Sequence, residues 1–283
     1  MNSEEHNKSK NRTHYNRLYS NFNIRNTLHW LNNLEVFLNS ALTTETSWFA
    51  LYQENFKERL KGAKVLEMGC GDCVNAAVMA ALGAKVYAND IAEVSGAIIT
   101  KLNQNYDFKT PIKFISGDFL QNNIKAESFD FVVGKAFLHH LELPLEKQFL
   151  KETARLLKPG GEARFFEPAV NNGLLNVLRW YVPVKGRPSK FNVKAFREWK
   201  ESDPHPERSF SSQHFEEAGK EFFKEIRILP VGSLERFSRL MKWGEARNNY
   251  RKWALEKEMS IPYSLNRSFA RSQLIVYKNP KGF

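Results

Sequence analysis

The stretch Val65-Leu66-Glu67-Met68-Gly69-Cys70-Gly71-Asp72-Cys73 decides the fold. An apolar strand end carries one acid and runs into a glycine turn. The run Val74 to Leu82 follows at once, has a helix-forming composition, and is closed by Gly83. The order is strand, tight turn, helix, with a ligand at the turn. Gly69 and Gly71 let the backbone bend and let a ligand approach with no Cβ in the way. The helix N-terminus behind them offers unpaired N–H groups and positive potential. Glu67 narrows the choice of ligand. A carboxylate there repels a pyrophosphate and attracts an ammonium or a sulfonium.

The glycine pattern alone is incomplete. A dinucleotide fingerprint wants a third glycine at position 74, where this chain has Val74. The turn therefore fits either a nucleotide-type site or ordinary punctuation in an α/β fold. The following segments favour the site. Ala84 to Ile91 reads as a second strand ending in Asp90, where a carboxylate can accept both ribose hydroxyls. Ile112 to Phe119 gives a third strand ending in Gly117-Asp118-Phe119. The acid there can accept an adenine amino group, and the ring can lie against the base. Phe129 to His140 is a fourth strand opening onto two histidines. Leu150 to Gly161 reads as an amphipathic helix stopped by Pro159-Gly160-Gly161. Glu162 to Phe166 is a fifth strand, ending at Glu167-Pro168.

Leu-Glu-Met-Gly-Cys-Gly, Ala-Asn-Asp-Ile, Gly-Asp-Phe, Phe-Asp-Phe-Val-Val-Gly, Leu-His-His-Leu and Leu-Leu-Lys-Pro-Gly-Gly stand in one order and spacing. Through them, residues 65–168 resemble a class I S-adenosylmethionine-dependent methyltransferase of the small-molecule, type 11-like kind. The departure is Cys73, where that family usually carries glycine. The resemblance implies a Rossmann-like, doubly wound α/β sheet of seven strands with the last antiparallel. It also implies S-adenosylmethionine as cofactor. The implied contacts are Glu67, Met68, Gly69, Cys70 and Gly71 at the first strand end, and Asp90 and Ile91 at the second. Gly117, Asp118 and Phe119 follow at the third, with Gly134 and Lys135 at the fourth.

The length, 283 residues, suits one α/β domain with additions. The chain divides into a polar tail and N-terminal helical cap (1–62), the cofactor-binding core (63–168), and substrate-cap insertions with the last strands (169–283). No run of about 18 apolar residues occurs, so no membrane span is expected. Met1 to Asn16 is polar, without the apolar core of a signal peptide. With only two cysteines, a cytoplasmic location is expected. Those two, Cys70 and Cys73, form a Cys-x-x-Cys spacing that could be redox-active or half a zinc site. Nothing in the chain completes such a site, and no metal is expected.

The formal net charge is +11, which raises a nucleic-acid partner. Much of the excess follows position 178: Arg179, Lys185, Arg187, Lys190, then Arg236, Arg239, Lys242 and Arg247. Amino-methylating nucleic-acid enzymes resemble one another in an Asn- or Asp-Pro-Pro-aromatic loop after the fourth strand. Here that loop is Gly134-Lys135-Ala136-Phe137. A solvated basic surface, or a pocket for an acidic small molecule, fits better than nucleic acid.

Residues 15–62 read as helices. Trp30, Leu31, Leu34, Phe37 and Leu38 recur at helical spacing, as do Trp48, Leu51, Tyr52, Phe56 and Leu60 in a helix running from Thr44 or Thr46 to Gly62. These stripes read as core. The resemblance adds that such helices often lie over the cofactor, with Tyr15 and Tyr19 in reach of it. After Pro168, Leu174 to Trp180 reads as helix. Val182 to Pro188 and Asp203-Pro204-His205-Pro206 read as loops. Glu225 to Leu229 and Gln273 to Tyr277 read as the last strands. Arg179 and Arg187 on the insertion are candidate substrate contacts.

The chemistry expected is in-line displacement on a sulfonium, in which the enzyme chiefly positions the acceptor behind the methyl carbon. A base is needed only where the acceptor carries a proton of high pKa. His139, His140 and Glu167 are the candidates, against a purely structural role for each. The function expected is methyl transfer to a small-molecule metabolite. One alternative is a phosphorylated or carboxylated metabolite such as a prenyl diphosphate. Another is a nucleic-acid-binding or nucleic-acid-modifying protein on the same fold. The sequence leaves the oligomeric state open.

Overall fold

The structure, a computed structural model, describes residues 3–183, 186–202 and 210–282. Lys185 and the Asp203-Pro204-His205-Pro206 loop lie outside the described residues. Seven strands form one sheet: β1 (Lys64–Met68), β2 (Lys85–Asp90), β3 (Lys113–Ser116), β4 (Phe129–Lys135), β5 (Leu157–Pro168), β6 (Phe223–Val231) and β7 (Ser272–Pro280). Their spatial order is β3-β2-β1-β4-β5-β7-β6. β7 runs antiparallel to both β5 and β6, and the other pairings are parallel. The doubly wound sheet with its antiparallel last strand is the expected one.

Strand order reverses between β1 and β4, and a crevice opens there at the carboxyl ends of the strands. Register puts the tips level. Met68 pairs with Asn89 on one side and with Gly134 on the other, and Asp90 pairs with Ser116. Both sheet faces are covered, so the central parallel strands read as apolar runs. Side chains alternate between two cores. Val65 joins the one beneath the N-terminal helices with Leu38, Leu51 and Phe56, while Leu66 and Met68 join the other with Phe149, Phe215 and Tyr277.

Two expected helix boundaries move. The helix from Thr46 stops at Leu51 and resumes only at Phe56–Arg59. Glu54 and Asn55 between them are left-handed, with φ of 60° and 54°, which a continuous helix forbids. The helix before β5 spans Leu143–Leu156 rather than reaching Gly161. Pro159 disfavours helical geometry at Lys158. The carbonyls of Arg155 and Leu156 accept from the N–H groups of Glu127 and Ser128, so the helix end is satisfied from outside. Buried Arg164 fastens the N-terminal helices to β5: it pairs with Glu162, its Nε donates to Leu51 O at 3.0 Å, and its Nη2 donates to Gln53 O at 2.9 Å. Among the described residues no helix is long and apolar enough to cross a membrane.

Candidate active site

The crevice at the switch point is a cavity of about 370 Å³, lined from the tips of β1 to β4 and from the helix Ser3–Tyr19. That size suits a small ligand. At its floor the turn after β1 has φ of 63° at Gly69, 52° at Gly71 and 61° at Cys73. Cys73 thus adopts the left-handed backbone usually left to glycine, at a cost of about 1–2 kcal/mol. A Cβ on Gly69 would stand 2.5 Å from Phe137 Cδ2, and one on Gly71 would stand 3.0 Å from Tyr19 Oη. The missing side chains therefore make room for two aromatic walls of the cavity, where the sequence pointed to room for the ligand alone. Cys70 and Cys73 are both free and buried, and burial pushes the Cys70 thiol up. It stays protonated, which suits neither a nucleophile nor a metal ligand.

Asp90 closes β2 with its carboxylate fixed. Oδ2 accepts from Gly71 N and Oδ1 from Ala92 N, both at 2.8 Å. Each oxygen keeps a further lone pair for a ligand. Asn89 ties the neighbouring tip down by donating to the carbonyls of Ile115 and Gly117. Asp118 caps the short turn Phe119–Gln121 through Leu120 N at 3.0 Å. Its Oδ2 accepts from Lys8 Nζ at 2.8 Å. An adenine amino group at Asp118 would therefore share the carboxylate with Lys8. Phe119 is buried and stacks on Phe149, with ring centroids 5.3 Å apart, giving that end of the cavity an apolar wall.

Glu67 lies beneath the turn and does not line the cavity. It is 2% exposed. Oε1 accepts from Asn75 Nδ2 at 2.8 Å, and Tyr52 Oη donates to Asn75 Oδ1 at 3.1 Å. Oε2 is buried and has no partner. Burial pushes the carboxyl up to about 8, because the ionised form loses its water. Lys135, its nearest cation, lines the cavity with its ammonium 5.0 Å over the Trp48 ring. Burial lowers that amine.

Past β4, Glu167 organises the two histidines. It is fully buried. Oε1 accepts from the N–H groups of Phe137 and Leu138 at 2.9 and 2.7 Å. Oε2 accepts from His139 N at 3.3 Å and lies 2.7 Å from His139 Nδ1. A carboxylate only accepts, so Nδ1 is the ring nitrogen that carries the proton between the two groups. His139 lines the cavity and Glu167 does not, so Glu167 acts through His139. His140 also lines the cavity, with its Nε2 3.1 Å from Tyr15 Oη. Tyr15 stacks on Tyr19, and burial raises the Tyr19 hydroxyl above its ordinary value.

Of the sequence candidates, Gly69, Gly71, Asp90, Ile91, Gly117, Asp118, Phe119 and Lys135 meet at this cavity with Tyr15, Tyr19, His139 and His140. Glu67, Met68, Cys70, Gly134 and Glu167 support it from behind. Arg179 and Arg187 do not reach it. Sequence reasoning missed Lys8, Asn11, Phe137 and Phe149. Lys8, Asn11, Tyr15 and Tyr19 fall three and four residues apart, one face of a helix, and that spacing was the available signal.

The residues present fit S-adenosylmethionine. Asp90 offers acceptors to a diol, and the Phe119–Phe149 wall suits a flat ring. Residues 66–165 match the family described as "Methyltransferase domain". That segment runs from within β1 to within β5, and over it the chain is similar to the class I S-adenosylmethionine-dependent methyltransferases. Similar proteins include an uncharacterized methyltransferase of Mycobacterium tuberculosis, 32% identical over 41% of this chain and 57% of that one. A ubiquinone biosynthesis O-methyltransferase of Idiomarina loihiensis is 34% identical over 46% of this chain and 51% of its own. The chain thus spans about half the length of these curated relatives. In fold it resembles the magnesium protoporphyrin IX methyltransferase of Synechocystis PCC 6803, solved with bound S-adenosylhomocysteine. That structure has a TM-score of 0.53 at 14% identity, covering 96% of this chain and 99% of that one. Phosphoethanolamine N-methyltransferase 2 of Haemonchus contortus gives 0.52 at 14% identity, over 92% and 60%.

Proposed function

We propose that this protein transfers a methyl group from S-adenosylmethionine to an oxygen or nitrogen of a small-molecule metabolite, with His139 as the base. The observation that carries this reading is the Glu167–His139 pair opening onto the same cavity as Asp90. Relatives that act on ubiquinone precursors and sterols support a small acceptor, as does a cavity roofed by one helix.

The cofactor supplies, when bound, an electrophilic methyl carbon on a cationic sulfur. Asp90 holds the ribose hydroxyls, and the Gly69–Gly71 turn sets the depth at which the ligand lies. Phe119 would cover the ring, and Asp118, which also accepts from Lys8, would accept from its amino group. Phe137, Tyr15 and Tyr19 exclude water, which sharpens every charge interaction inside. His139 Nε2 takes the acceptor's proton as the new bond forms. Glu167 keeps the imidazole in the tautomer that can accept it and stabilises the imidazolium. Tyr15 fixes His140 beside it.

Calorimetry with S-adenosylhomocysteine tests the first half. Micromolar to sub-millimolar binding is expected, and an absence of heat with binding of NADH instead would sink the reading. A thermal-shift screen of metabolites with S-adenosylhomocysteine present then identifies the acceptor.

A further inference from the structure

Away from the cavity, the insertion after β5 holds two arginines that pair with no carboxylate among the described residues, and the charge of Arg236, in the turn after β6, acts on one of them. Arg179 ends the helix Gly173–Leu178. Its guanidinium lies 4.5 Å over the Trp180 ring, and that of Arg187 lies 5.0 Å over the same ring. Arg187 Nη2 donates to the carbonyls of Arg179 and Val182 at 2.6 and 3.1 Å. Arg236, on the 3-10 turn Glu235–Leu240, donates to Phe269 O at 2.9 Å. The nearby acid is already used: Glu235 holds Arg251 at 3.0 Å and Arg271 at 2.6 Å. The Nε groups of Arg179 and Arg187 are buried and meet no acceptor.

Such an arrangement is costly as it stands. Burial lowers the Arg179 guanidinium, and the charges of Arg187 and Arg236 lower it further. Burial likewise lowers Arg187, and burial with Arg271 lowers Arg236. Like charges held together with unmet N–H donors gain most from one ligand that brings negative charge and several acceptor oxygens. Phosphate and diphosphate do this for two guanidinium forks better than a single carboxylate does. The rim adds a second requirement. Leu178, Val182, Phe237 and Leu240 are 50, 52, 51 and 79% exposed, and they stand beside the arginines in the chain. A ligand with an apolar body would cover them.

We propose that Arg179 and Arg187, both held over the Trp180 ring with unmet Nε donors, form an oxyanion site for the phosphate or diphosphate end of a ligand with an apolar body, and that the charge of Arg236 reinforces it. The insertion leaves the carboxyl end of β5 directly after Glu167 and Pro168, the end of the parallel strands at which the cavity opens. That the ligand is the methyl acceptor rests on the proposed methyl transfer. The oxyanion site itself does not.

The test uses the full chain at low salt, with inorganic phosphate, pyrophosphate, hexyl phosphate and sodium chloride of matched ionic strength. Melting temperature and calorimetric affinity are read for the parent, Arg187→Gln, Arg236→Gln and, as a surface control, Lys190→Gln. The parent should bind pyrophosphate, and hexyl phosphate more tightly than inorganic phosphate. Either arginine variant should lose about tenfold or more in affinity, the usual effect of removing a charge-assisted contact. Both should melt at a higher temperature than the parent without ligand, since repulsion is relieved. Lys190→Gln should match the parent, and S-adenosylhomocysteine binding should be unchanged in all. Pyrophosphate protection no greater than that by chloride, or equal in parent and arginine variants, overturns the site. Vesicles of phosphatidylcholine with phosphatidylglycerol distinguish the source of the anion. Arginine-dependent binding to them, with none to the soluble phosphates, overturns the acceptor assignment in favour of a lipid headgroup. Pyrophosphate binding in a protein that ignores S-adenosylhomocysteine leaves the oxyanion site standing and removes the methyl-transfer reading.

Discussion

Replacing Glu67 with glutamine should stabilise the protein, and by an amount that grows with pH. The glutamate carboxyl is 2% exposed, and its Oε2 is unpartnered. Burial raises it from 4.5 to about 8. Between those values the native state keeps a proton that the unfolded state has released. Stability therefore falls as pH rises through that window, by about 1.4 kcal/mol per pH unit. Relative to an uncharged isostere the cost reaches about 3 kcal/mol at pH 7 and levels off above pH 8 at about 4–5 kcal/mol. Glutamine keeps an acceptor for Asn75 Nδ2 and carries no charge, so the variant should lack this slope. Urea unfolding of parent and Glu67→Gln from pH 5 to pH 9 measures it directly. The stability difference should be small at pH 5, widen in favour of the variant up to about pH 8, and then stay constant. A difference that is flat with pH would refute the reasoning, because Glu67 would then titrate as an exposed glutamate.

Four further outcomes follow from the geometry. Asp90→Ala should weaken S-adenosylhomocysteine binding by about 1.5–3 kcal/mol in calorimetry, and should also lower stability by about 1–3 kcal/mol because Gly71 N and Ala92 N lose their acceptor. Once the acceptor is known, His139→Asn should lower kcat by about 10²–10⁴-fold. Glu167→Gln should lower kcat with little change in KM, the split expected of a residue that positions another. Gly69→Ala should cost about 1–3 kcal/mol in denaturant unfolding for its left-handed backbone alone. The added clash with Phe137 at 2.5 Å should be relieved in a Gly69→Ala, Phe137→Ala double variant, and additivity of the two single changes would count against that contact.

The sheet was legible because its strands end in glycine and acid punctuation, and parallel strands buried on both faces read as short apolar runs. Side-chain direction was harder. Glu67 reads as ligand-facing from its place before the turn, but strand alternation puts it on the face of Val65, towards Asn75, while Leu66 and Met68 face the other core. The helix Ser3–Tyr19 carries too few apolar residues to betray itself by hydrophobic period. Its inward face is Lys8, Asn11, Tyr15 and Tyr19, all polar or amphipathic. The grouping of Arg179 and Arg187 with Arg236 depends on β6 returning beside β7, a long-range pairing that local pattern does not encode.

One consequence of that helix concerns timing. It roofs the cavity, Lys8 is fastened to Asp118, and Tyr15 stands against His140. Were a ligand beneath it to leave by that side, its residence time would be set by undocking of the helix rather than by the contacts in the crevice. The ion pair is partly open to water and is weakened by salt. Turnover limited by release would then quicken as ionic strength rises, the reverse of what a reaction steered by charge attraction would show.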